Sequence, residues 1–166
     1  MNKRSPEKRR SERGGSGGAR ACPPITVLHI DDDPNDTELL RAATRKAELP
    51  FILHNVEDGE QAIAYLSGLG VYSDRQTYHL PALILLDLKM PRATGFEILK
   101  WIRSHPELEH LPVVVLSGSE LQDDIRRAYD VGANSYLVKP LGFEALVTMV
   151  RTIGSVWLTG NSQAML

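Results

Sequence analysis

Four short apolar runs constrain this chain more than any other feature, because each closes on a residue able to handle phosphate or a hard cation. Ile25-Thr26-Val27-Leu28-His29-Ile30 leads into Asp31-Asp32-Asp33, and Ala82-Leu83-Ile84-Leu85-Leu86 leads into Asp87. Val113-Val114-Val115-Leu116 leads into Ser117, and Tyr136-Leu137-Val138 leads into Lys139-Pro140. In an open parallel sheet the carboxyl ends of neighbouring strands meet at one edge, where ligands bind. Strands of this kind would gather carboxylates, a hydroxyl and an ammonium in one pocket. Such a set suits a divalent cation and a phosphoryl group.

Between these runs the hydrophobic spacing turns helical. The pattern predicts a first strand over about 25–30 and a helix after it, with Asp33 as N-cap and Pro34 at the first helical position. Phe51 to Val56 reads as a second strand, and Asp58 with Gln61 resembles a capping box opening the second helix. A third strand covers about 82–87. Thr94 and Glu97 form a better capping box, followed by the stripe Phe96, Leu99 and Ile102. The fourth strand covers about 112–116, Ser119 and Gln122 start the fourth helix, the fifth strand covers about 134–138, and a last helix runs over about 142–158. Alternation of this kind implies βαβ units, a parallel sheet and right-handed crossovers. The connection 67–80 is longer than such units need.

A length of 166 residues with 42% hydrophobic content supports one domain with a real core. The net charge of −2 hides an asymmetry. Residues 1–24 carry seven Lys/Arg against Glu7 and Glu12, a balance of +5, which leaves −7 on the remainder. With its Gly14-Gly15-Ser16-Gly17-Gly18 run and no apolar periodicity, the segment 1–24 is expected to be a disordered tail, with a second short tail at 159–166. An acidic body argues against nucleic acid as a partner. No run is apolar for the roughly 18 residues of a membrane span, and one cysteine, Cys22, excludes an internal disulfide framework. The expected setting is the cytoplasm, with no membrane partner.

Adjacent strand-end carboxylates such as Asp31 and Asp32 can grip a hard cation. With Asp87 about 4 Å from either, repulsion would reach roughly 4 kcal/mol at an effective dielectric near 20, so the cluster needs a cation or a raised pKa in one member. Magnesium suits oxygen ligands unaccompanied by a Cys or His cluster. Asp33 can equally be only a helix cap. Asp87 ends an apolar strand, and a carboxylate beside a bound cation can attack phosphorus to form an acyl phosphate. Ser117 offers a hydroxyl, though Ser-Gly-Ser is also a common turn. Lys139 could pair with the acids or clamp phosphate. The five histidines show no ligand spacing and receive no role.

Taken together, Ile30-Asp31-Asp32-Asp33-Pro34, Leu86-Asp87-Leu88-Lys89-Met90-Pro91 through Gly95, Leu116-Ser117-Gly118 and Tyr136-Leu137-Val138-Lys139-Pro140 resemble the receiver domains of two-component response regulators. The resemblance covers about residues 25–158. It implies a flavodoxin-like (βα)5 doubly wound sheet with strand order 2-1-3-4-5. It further implies Asp87 as phosphoacceptor from a sensor histidine kinase, and magnesium held by Asp31, Asp32, Asp87 and the backbone carbonyl of Lys89. Ser117 would be the switch hydroxyl, Tyr136 the aromatic switch turning inward with it, and Lys139 the phosphoryl-binding ammonium, with Lys139–Pro140 cis. The Asp-Asp-Asp-Pro-Asn-Asp run, the long connection with Tyr72 and the Trp157-Leu158 ending are similar to single-domain regulators paired with phytochrome-type kinases.

Ser117 stands where threonine is usual in that family, and Lys89 and Gly118 occupy positions that tune phosphate lifetime. The stretches outside 25–158 are too short for an output domain, so output is expected through protein–protein contacts. The apolar breadth of the last helix suits core packing, or pairing of two copies through the face of the fourth helix, fifth strand and fifth helix. Two other readings differ in class. A phosphorylation-independent adaptor would bind its partner regardless of Asp87. An aspartyl-phosphate phosphohydrolase would need an acid/base aspartate two residues after the nucleophile, where Lys89 stands.

Overall fold

The structure, a computed structural model, describes residues 24–159. The expected tail 1–24, apart from its last residue, and the end of the chain from 160 lie outside them. The elements are β1 (Ile25–Ile30), α1 (Pro34–Lys46), β2 (Phe51–Val56), α2 (Gly59–Ser67), β3 (Leu83–Leu86), α3 (Gly95–Arg103), β4 (Val113–Ser117), α4 (Gln122–Val131), β5 (Ser135–Val138) and α5 (Phe143–Ile153). All strand pairs are parallel, and the sheet runs β2-β1-β3-β4-β5, the expected order.

Both sheet faces are covered, which is why the inner strands read as nearly continuous apolar runs. Because side chains alternate along a strand, Leu28, Ile30, Ile84 and Leu86 join a core with Tyr65, Leu99 and Ile102 from α2 and α3. Val27, Leu83, Leu85 and Leu116 face the opposite side, against Leu40 of α1 and Val147, Val150 and Ile153 of α5.

The predicted helix starts hold in three places. Asp33 caps α1 by accepting from the Asn35 N–H at 2.8 Å, and Asp58 accepts from the Gln61 N–H at 2.8 Å. At α3, Glu97 accepts from the Thr94 N–H at 2.7 Å, completing the capping box. The fourth start differs. Leu121, not Ser119, holds the N-cap position of α4. The Ser119 hydroxyl is drawn instead to Asp124 inside the helix, donating to Oδ2 at 2.5 Å.

The last helix also departs from expectation. Regular α5 stops at Ile153, and a π-helical turn carries the chain from Gly154 to Leu158. A β-carbon at Gly154 would lie 2.9 Å from Cδ2 of Leu49, so the turn packs closely there. Phe143, part of the apolar breadth of that helix, is 37% exposed at the start of α5, with the Lys46 ammonium over its ring. The long connection after α2 is organised by side chains. Arg75 donates to the carbonyls of Tyr65, Leu66 and Tyr78 at 2.8, 2.7 and 3.1 Å. Tyr65, Tyr72 and Tyr78 pack ring to ring above it.

Candidate functional site

Register brings the strand ends together. The Asp31 N–H donates to the Val56 carbonyl, and the Asp87 N–H donates to the Ile30 carbonyl, each at 3.0 Å. Both acids therefore continue the ladder just past β1 and β3. On the far side the Lys139 N–H donates to the Ser117 carbonyl at 2.9 Å, tying the ends of β4 and β5. The four strand ends expected to converge do converge.

Asp31 and Asp87 are buried and Asp32 is partly so. One carboxylate oxygen from each can lie within 4.8 Å of the others. That spacing and an all-oxygen donor set fit a hard divalent cation. The Lys139 ammonium sits 2.7 Å from Asp31 Oδ2 and 3.7 Å from Asp87 Oδ2. Lys89 is exposed in the loop after Asp87, and its backbone N–H, with that of Leu88, is directed at the Asp87 carboxylate.

The two buried acids titrate in opposite directions. Burial pushes Asp87 above the ordinary carboxylate range; Lys139 opposes this shift and the Asp31 charge adds to it. Burial would raise Asp31 as well. There, contacts from His29 and Lys139 and the Asp33 N–H outweigh burial and bring it down to about 2. Lys139 loses hydration, which favours the neutral amine, yet its acid partners hold it well above the usual range. One acid is thus held ionised, and its neighbour is the more basic of the two.

Ser117 is wholly buried at the end of β4, and its Oγ accepts from the Ser119 N–H at 3.3 Å. Tyr136 leans over the α4 side of the sheet, where its hydroxyl donates to the Ser119 carbonyl at 2.9 Å and its ring packs on the core. The aromatic ring is therefore turned in, beside the serine loop. The Lys139–Pro140 bond, expected to be cis, is trans, since no cis peptide occurs among the described residues. Trans is the form that an X–Pro amide favours intrinsically.

Three residues at the site were not singled out from sequence. Asp36, in the first turn of α1, places Oδ2 2.7 Å from the Lys139 ammonium. His29, buried in β1, holds Nε2 3.4 Å from Asp31 Oδ2. Asn55 of β2 donates through Nδ2 to the His29 and Asp31 carbonyls at 3.1 and 3.3 Å. A signal existed for His29: it is a titratable side chain inside the apolar run of β1, two residues before Asp31 and hence on the same face.

Comparison with known proteins gives one consistent result. The family model for the response regulator receiver domain matches residues 27–151. The response regulator Rcp1 of the cyanobacterium Synechocystis is 35% identical over 136 residues, covering 82% of this chain and 90% of its own length. Among solved structures, the phosphorylated cyanobacterial phytochrome response regulator RcpA is 36% identical with a TM-score of 0.75, covering 82% of this chain and 95% of that one. The Mn2+-bound form of Rcp1 is 35% identical with a TM-score of 0.72, covering 81% and 95%.

Proposed function

The chain belongs to the response regulator receiver domain family, and on that premise we propose that Asp87 accepts a phosphoryl group from a phosphohistidine on a sensor histidine kinase. An Asp87 carboxylate oxygen attacks phosphorus in line; the new O–P bond forms as the N–P bond breaks, and the bonding pair returns to the imidazole. Asp31, Asp32, Asp87 and the Lys89 carbonyl would hold the magnesium ion, which supplies charge neutralisation for the acids and the phosphoryl oxygens. Lys139 pairs with a phosphoryl oxygen, and the Ser117 hydroxyl donates to another. Tyr136 follows the serine loop and carries the change towards α4. The same pocket would promote both uptake and loss of the phosphoryl group.

One observation carries this reading: three carboxylates, an ammonium 3.7 Å from the acid that ends β3, and a buried hydroxyl meet at adjacent strand ends. The kinase is proposed to be of the phytochrome type, supported by the likeness to a phytochrome response regulator, and a cytoplasmic setting follows from such a partner. The metal assignment is supported by the Mn2+-bound relative. In this reading residues 25–158 form the receiver unit and signal by protein–protein contact. Leu121 and Tyr129, 65% and 48% exposed, sit on the α4, β5 and α5 side, where two copies could pair.

The test is labelling with magnesium and a small acyl-phosphate donor. The expected result is incorporation that disappears in Asp87→Asn. Label retained in that variant overturns the assignment, and partner binding unaffected by it favours the adaptor reading.

A further inference from the structure

Lys139 is committed before any phosphoryl group arrives. An ammonium has three donors, and here one is directed at Asp31 Oδ2 and one at Asp36 Oδ2, each at 2.7 Å, while Asp87 Oδ2 stands 3.7 Å away. The two short partners differ in kind. Asp31 is buried and belongs to the acid cluster, whereas the Asp36 side chain is 37% exposed on the first turn of α1. Water can replace Lys139 at Asp36, but not readily at Asp31. Asp36 is therefore the partner that can let go.

We propose that Asp36 is a positioning residue that competes with the phosphoryl group for the Lys139 ammonium, holding it back from Asp87 and so weakening retention of phosphate. This rests on the phosphoacceptor reading above and goes beyond it, because Asp36 lies outside the cluster of Asp31, Asp32 and Asp87. When a phosphoryl oxygen sits on Asp87, Lys139 swings to it and the Asp36 contact breaks. A carboxylate at position 36 makes that exchange costly; a neutral side chain of the same shape would not.

The test is binding of beryllofluoride, a phosphoryl mimic, to the full chain at saturating magnesium, followed by fluorine NMR. Asp36→Asn is expected to bind it about two- to fivefold more tightly, the span appropriate to a partly exposed ion pair. Asp36→Ser provides an independent removal of the charge and should tighten binding likewise. Glu38→Gln removes an equal charge from the same helix without touching Lys139 and is expected to change nothing. Unchanged or weaker binding in both Asp36 variants overturns the proposal, and so does an equal gain in Glu38→Gln. A wild-type adduct that is lost in Asp87→Asn leaves the phosphoacceptor reading standing whichever way Asp36 behaves. Absence of any wild-type adduct removes both.

Discussion

A β-carbon placed on Gly95 would lie 2.2 Å from the carbonyl oxygen of Asp87. The first residue of α3 therefore presses directly on the backbone of the proposed phosphoacceptor. The Gly95 N–H also donates to the Leu88 carbonyl at 3.2 Å, fixing the loop between them. Only a residue without a side chain permits this approach.

Gly95→Ala is accordingly expected to displace Asp87 and to destabilise the fold. Forcing atoms into a packed contact costs about 1–3 kcal/mol. Chemical denaturation should register that loss, and labelling by a small phosphodonor should fall with it. Wild-type stability together with wild-type labelling would count against the contact.

Asp87 carries a folding cost in the absence of a cation. Its carboxyl is raised above its ordinary value, mainly by burial. Its contribution is thus unfavourable once pH rises through that raised range, and vanishes when the group is protonated. In magnesium-free buffer at neutral pH, Asp87→Asn should melt higher than wild type, each kcal/mol gained being worth about 2–4 °C. The difference should shrink below the carboxylate range and on adding magnesium. A variant that melts lower at neutral pH would refute this.

Asp31 behaves in the opposite sense. Its carboxyl is lowered from 3.8 to about 2, a gap of about 2 units, or roughly 2–3 kcal/mol of stability. Because the folded value is depressed, that stability is present above pH 4 and lost as pH falls towards 2. Compared in magnesium-free buffer, Asp31→Asn should be less stable than wild type at neutral pH, and the two should converge in acid. Curves that stay parallel down to pH 2 would contradict the contacts that His29, Lys139 and the Asp33 N–H make with this carboxylate.

Arg103 separates scaffold from site. Its guanidinium donates to the carbonyls of Gly132, Glu109 and Leu111 and to Asn134 Oδ1, at 2.8–2.9 Å. Arg103→Ala leaves those acceptors without their donor and should cost about 2–3 kcal/mol. Phosphodonor labelling at a temperature where the variant remains folded should match wild type. A selective loss of labelling would mean that the clamp also shapes the site.

The architecture was legible in the chain because its signals are local. Apolar runs closing on polar or charged residues marked the strands, and Asp33, Asp58 and Thr94 marked three helix starts through side chains that bond their own next turn. Ser119 misled for a related reason: a serine near a helix start can cap it or reach inside it. The choice fell to Asp124, which sits on the helix and not in the preceding loop.

The residues that the sequence set at strand ends were brought together by parallel register, a consequence of alternation alone. Their contacts were another matter. That Lys139 would answer to Asp36 as well as Asp31, and that Gly95 would sit on the Asp87 carbonyl, depend on how α1 and α3 settle against the sheet. The chain by itself determined which groups reach the edge, since period and capping are properties of neighbours along the backbone. Tertiary packing decided which of those groups touch, because distances between side chains more than 100 residues apart are set only when helices and sheet close around them.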